Sequence, residues 1–172
     1  MSMPRTAFLP ALLFLVLACA VPYAPAQDFS SRHHRFRVTV VADGLAHPWA
    51  LAFLPGGDVL VSEREGRLRV IRGGRLLPEA VRGLPDVRVL GQGGLLDLLP
   101  HPDFQTNRLL YFSYAADLDG GVTTHVARAR LENDTLSDVD VLLRAEPASR
   151  GRVHFAGRLA FDPQGYLYAS VG

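Results

Sequence analysis

From Phe36 onward the chain alternates short apolar runs with breaks at Gly, Pro, Asn and Asp. Phe36-Arg37-Val38-Thr39-Val40-Val41 alternates with a period of two, the spacing of a half-buried strand. Trp49 to Leu54 predicts a second strand, Pro55-Gly56-Gly57-Asp58 a turn, and Val59 to Glu63 a third strand. Arg67-Leu68-Arg69-Val70-Ile71 alternates again and ends at the hairpin signal Gly73-Gly74. No long segment keeps the apolar stripe of a helix, so the expected class is all-β with little helix.

The strand-turn-strand phrase recurs. Leu51 to Ser62 is one copy. Leu96 to Phe104 followed by Arg108 to Tyr114 is a second with a longer turn, and Leu159 to Ser170 is a third. The turn prolines Pro55, Pro102 and Pro163 are separated by roughly 50 residues, which suits a four-stranded β-propeller blade. Arg67 to Ile71 and Thr123 to Leu131 then supply outer strands. A β-sandwich is the competing architecture, but sandwiches rarely repeat a whole phrase at this period. The chain therefore reads as about two and a half blades of a β-propeller. Because a complete propeller needs at least four blades, residues 38–172 are expected to be the amino-terminal part of a propeller domain truncated at its C-terminal end.

The opening residues read as an address. Arg5, the apolar run Phe8 to Val21 and the small residues of Ala24-Pro25-Ala26 make residues 1–26 a secretory signal peptide, cleaved after Ala26. The run is too short for a stable membrane span. Its Cys19 is the single cysteine, so a mature chain beginning at Gln27 has no disulfide. Val16-Leu17-Ala18-Cys19 is also a loose lipobox, which would make Cys19 the acylated first residue of a lipoprotein. Both readings export the protein to the periplasm or beyond. Residues 27–37 are polar and are expected to form a flexible lead-in.

Composition adds little beyond exclusion. With 48% hydrophobic residues, 20% charged residues and a net charge of +1, the 172-residue chain is globular and carries no charge block for a nucleic-acid partner. Its basic residues are all arginine, and they are scattered.

Two loops could carry chemistry. His154 stands just before the Gly157-Arg158-Leu159 strand start of the third copy, at the mouth of a hairpin. A neutral imidazole held there can take a proton from a substrate hydroxyl, or its ring nitrogens can cap loop backbone. Gly91-Gln92-Gly93-Gly94 holds the equivalent place before the second copy, so Gln92 and His154 are expected to converge from neighbouring blades on one opening. Three glycines let backbone approach a flat ligand, and the Gln92 amide offers a donor and an acceptor. A tight turn with a solvated glutamine is the plainer reading. His33 and His34 fall in the lead-in, His101 in a turn where capping or packing suits it, and His125 in an outer strand. They show no metal-ligand spacing, so no metal site is assigned. Asp97, Asp103, Asp117, Asp119 and Asp162 are read as mostly turn acids bonding to backbone.

Taken in order, Leu45-Ala46-His47-Pro48-Trp49-Ala50-Leu51-Ala52-Phe53-Leu54-Pro55, Gly91-Gln92-Gly93-Gly94-Leu95-Leu96-Asp97, His101-Pro102-Asp103-Phe104 and His154-Phe155-Ala156-Gly157-Arg158-Leu159 resemble the glucose/sorbosone dehydrogenases. These are soluble aldose sugar dehydrogenases dependent on pyrroloquinoline quinone (PQQ). The resemblance covers about Val38 to Gly172. It implies a six-bladed propeller with PQQ over the central opening, His154 as the base that deprotonates the sugar's anomeric hydroxyl, and Gln92 in contact with PQQ. It also implies calcium, a sugar substrate and an electron acceptor of unspecified identity. Val153 and Ala156 depart from the family pattern, which has a polar residue and a glycine there. In the family the acid that orients the histidine follows just after the strand that ends here at Val171-Gly172, and the PQQ counter-charges and cofactor calcium ligands come from later blades. A chain ending at Gly172 is therefore expected to be inactive alone. A propeller lactonase and a non-catalytic propeller that binds carbohydrate or protein are the alternatives.

Overall fold

The computed structural model describes residues 27–172. The signal peptide expected over residues 1–26, with Cys19, lies outside the described residues. No helix among those described is long and apolar enough to cross a membrane. The chain divides into two compact units, one ending at Val40 and one spanning Val41–Gly172.

In the first unit, β1 (Gln27–Ser30) and β2 (Arg35–Val38) pair antiparallel, with Gln27 opposite Val38 and Ser30 opposite Arg35. The hairpin spans most of residues 27–37, the segment expected as a flexible lead-in. Two cross-strand pairs outweigh the polar composition: Phe29 and Phe36 stack at 5.7 Å, and Arg37 Nε donates to Asp28 Oδ1 at 2.8 Å. Ser31 closes the turn, its Oγ accepting the His34 N–H at 3.0 Å.

The second unit is a series of antiparallel meanders. β3 (Pro48–Phe53), β4 (Val59–Glu63), β5 (Arg67–Arg72) and β6 (Arg75–Leu76) form one four-stranded sheet in chain order. β7 (Leu95–Pro100), β8 (Leu109–Leu118), β9 (Gly121–Glu132) and β10 (Thr135–Arg144) form a second, and β11 (Leu159–Phe161) pairs with β12 (Leu167–Ala169). The three repeated phrases are therefore β3–β4, β7–β8 and β11–β12, the inner hairpins of two full blades and of a third. The one described helix, α1 (Phe104–Asn107), occupies the longer turn of the second phrase and buries Phe104.

The blades hold together because the middle one is covered on both faces. Leu110 to Ala115 are buried without a break, which a strand shows only when sheets pack on each side. Leu110, Phe112 and Tyr114 meet Leu60, Leu68 and Val70 of the first blade, while Tyr111 and Val126 meet Leu159 of the third. Phe112 is wholly buried, a contribution of about 2–3 kcal/mol from apolar area alone.

One buried polar group in this wedge has a pH consequence. His125 on β9 packs edge-on to Tyr114 at 5.4 Å, and its Nε2 has no hydrogen-bond partner among the described residues. Burial lowers its pKa from the usual 6.5, and the charge of Arg144 on neighbouring β10 lowers it further. The unfolded chain then binds a proton that the folded chain refuses, so this stability is present above pH 6.5 and is lost as pH falls below it. Denaturation midpoints measured downward from pH 7.5 should fall first in that window, and His125→Leu should flatten that part of the curve.

Candidate active site between two blades

The loops that lead into β7 and β11 lie side by side. The Gln92 N–H donates to the Arg152 carbonyl at 2.8 Å, and the Gln92 Oε1 accepts the His154 N–H at 3.0 Å. The two residues expected to converge are thus joined by one hydrogen bond across the blade boundary, with a second from Gln92 to Arg152. Both side chains are exposed. Among the described residues neither ring nitrogen of His154 has a hydrogen-bond partner, so the imidazole does not cap loop backbone. The Gln92 amide has its oxygen committed and its Nε2 donor free.

Close backbone contact explains the glycines. A Cβ on Gly91, whose φ is 59°, would sit 2.0 Å from the Arg152 carbonyl oxygen, and one on Gly94 would sit 2.2 Å from that of Arg64. Arg64 braces the loop from the first blade, its Nη1 donating to the Gly91 carbonyl at 2.9 Å and its own carbonyl accepting the Leu95 N–H at 2.9 Å.

The backbone that carries the histidine is in an uncommon conformation. His154 has φ 66° and Ala156 φ 50°, both in the left-handed region, with Phe155 buried between them against Leu96 and Ala115. Polar side chains of the second blade over-determine this path. Thr124 Oγ1 donates to the Phe155 carbonyl and Ser113 Oγ to the Gly157 carbonyl. Asp97 accepts the Leu159 N–H at 2.8 Å through Oδ2 and Arg158 Nη1 at 3.0 Å through Oδ1. The Arg158 guanidinium also lies over the Trp49 ring at 4.9 Å, so the first strands of all three blades meet through side chains.

Asp97 was expected at a turn and is not there. It is buried within β7, and a lone acid inside Leu95-Leu96-Asp97-Leu98-Leu99 was the available signal. Asp117 also lies on a strand, β8, opposite Arg88. Asp162 does act at its turn, accepting the N–H groups of Gln164 and Tyr166. His101 behaves as a packing and capping residue, with Nδ1 accepting the Asp103 N–H at 3.0 Å and its ring against Tyr111 and Phe161.

Fold and loops together define partial propellers with a polar site at the mouth of adjoining inner strands. The family model described as Glucose / Sorbosone dehydrogenase matches residues 45–172, and the chain belongs to that family. The aldose sugar dehydrogenase YliI of Escherichia coli is 42% identical over 139 residues, covering 78% of this chain and 38% of that protein. The structure of the PQQ-bound form of aldose sugar dehydrogenase from Streptomyces coelicolor superposes with a TM-score of 0.68 at 30% identity, covering 88% of this chain and 43% of that one. The Hedgehog-interacting protein of Homo sapiens is 28% identical over 87% of this chain and 24% of its own length. The chain therefore spans well under half the length of these relatives.

Proposed function

We propose that the protein to which these blades belong is an exported, PQQ-dependent aldose sugar dehydrogenase, with His154 as general base and Gln92 as a cofactor contact. The observation that carries this reading is the 3.0 Å hydrogen bond from the His154 backbone N–H to Gln92 Oε1, which ties the two loops together. The fit to a flat, acceptor-rich group rests on the exposed Gln92 amide, whose Nε2 can donate to it. PQQ, when bound, supplies a quinone that accepts hydride from the sugar's anomeric carbon. The imidazole of His154 would remove the anomeric hydroxyl proton as the sugar becomes its lactone. Calcium is proposed on the family resemblance alone, and no cluster of three or more His, Cys, Asp or Glu among the described residues could hold it.

A non-catalytic binding propeller is the second reading, favoured by Val153. This apolar residue is half exposed beside His154, where the family resemblance implies a polar one. The product of the whole reading frame, supplied with PQQ and calcium, should oxidise aldoses with an artificial dye as acceptor and lose that activity when PQQ is withheld. Sugar binding without turnover would favour the binding module. Lactone hydrolysis without an acceptor would favour a lactonase.

A further inference from the structure

The second strand of each inner hairpin carries a serine at the same register: Ser62 on β4, Ser113 on β8, and Ser170 just after β12. Each serine Oγ accepts the N–H of an equivalent first-strand residue, Ala50 at 3.0 Å, Asp97 at 3.0 Å and Arg158 at 2.9 Å. The ladder register breaks at this point in the two full blades, between Pro48 and Ala50 on β3 and between Leu95 and Leu98 on β7. A bulge turns an N–H away from the partner strand, and the serine takes it up. The hydroxyl hydrogen then goes to the next blade. Ser62 Oγ donates to the Leu96 carbonyl at 2.6 Å, and Ser113 Oγ donates to the Gly157 carbonyl.

Both bridging serines are completely buried. A hydroxyl in that position is tolerated because it is satisfied as acceptor and as donor at once. The two donations join the other polar contacts across these boundaries, among them those of Thr124 and Asp97. Leu96 closes the loop that carries Gln92, and Gly157 closes the left-handed turn that carries His154. The Ser113 bond falls in the left-handed run of His154, Ala156 and Gly157, and the Ser62 bond at the start of β7, four residues after Gln92.

We propose that these serines are positioning residues, Ser62 for Gln92 and Ser113 for His154, each second strand setting the site loop of the following blade. The catalytic meaning of this ladder rests on the function proposed above, whereas the positioning itself does not. The test is amide hydrogen exchange, resolved by residue, on the complete protein without cofactor or sugar. Ser113→Ala should raise exchange at the His154 and Gly157 amides by roughly tenfold, the factor expected for losing one buried hydrogen bond. The Leu95 amide, bonded to Arg64, should stay near its original rate. Ser62→Ala should show the reverse, with Leu95 fast and Gly157 slow.

Leu131→Val is the control, since Leu131 is buried at the other end of β9 from Thr124 and the Phe155 carbonyl. It should lower overall stability comparably and leave both loops protected. Should Ser113→Ala fail to fold, Ser113→Cys keeps nearly the same shape with a poor donor and should still loosen the His154 loop. Uniform loss of protection in the serine variants, matching Leu131→Val, would overturn the proposal and reduce the serines to packing. Intact local exchange changes in a protein whose complete form oxidised no sugar would instead refute the reaction and leave the ladder standing.

Discussion

Replacing Glu63 by alanine is expected to cost about 3 kcal/mol of folding stability, read as a lowered midpoint in urea denaturation. The Glu63 side chain is completely buried at the end of β4. It accepts the Ala46 N–H at 2.6 Å and the Arg67 Nε at 2.5 Å, and the Arg69 Nη1 lies 3.4 Å away. Arg69 is itself largely buried, so truncating the carboxylate strands a guanidinium and a backbone donor together. That asymmetry, more than any net strength of the ion pair, sets the size of the effect. Burial pushes the Glu63 pKa up, but the Arg67 and Ala46 hydrogen bonds and the charges of Arg67 and Arg69 outweigh it, leaving the pKa below the usual 4.5. This contribution is present above pH 4.5 and is lost as pH falls through the lower folded value. Its window lies below the one assigned to His125. Glu63→Gln should cost less than alanine, since its amide oxygen still accepts one bond, and it should remove the lower window.

Loss of the His154 ring should reduce kcat for aldose oxidation by roughly a hundred- to ten-thousand-fold in the product of the whole reading frame, the range typical of a general base. Alanine at this position also meets the φ of 66°, a left-handed conformation that costs an ordinary residue about 1 kcal/mol. His154→Gly separates the two effects, because glycine tolerates that backbone while lacking the imidazole. Both variants should be inactive, and the glycine variant should retain the stability of the parent. Activity within a few-fold of the parent in the glycine variant would remove His154 from the role of base.

The blades were legible because their signals are local. Leu51 to Ser62 and Leu159 to Ser170 each contain a whole strand, a proline turn and a second strand, so period and turn chemistry sufficed. The same repeat placed Gln92 and His154 in equivalent loops, and their convergence followed from topology. What lies across a blade boundary was not legible. Nothing in Leu95 to Leu99 says that Asp97 faces the backbone of Leu159 sixty-two positions on. Glu63 reads as the polar end of a strand until Ala46, Arg67 and Arg69 surround it. The β1–β2 hairpin was hidden for the opposite reason, since its order comes from a single stack, Phe29 on Phe36, and a single ion pair within a polar stretch.

The most direct test of the central claim is a single turnover. The complete protein, loaded with PQQ and calcium and mixed with aldose in the absence of any acceptor, should show reduction of its bound quinone by absorbance together with one equivalent of lactone. The His154→Gly protein, loaded equally, should show neither on the same timescale. Aldose bound with no change in the quinone absorbance, or quinone reduction as fast in the variant as in the parent, would contradict the account.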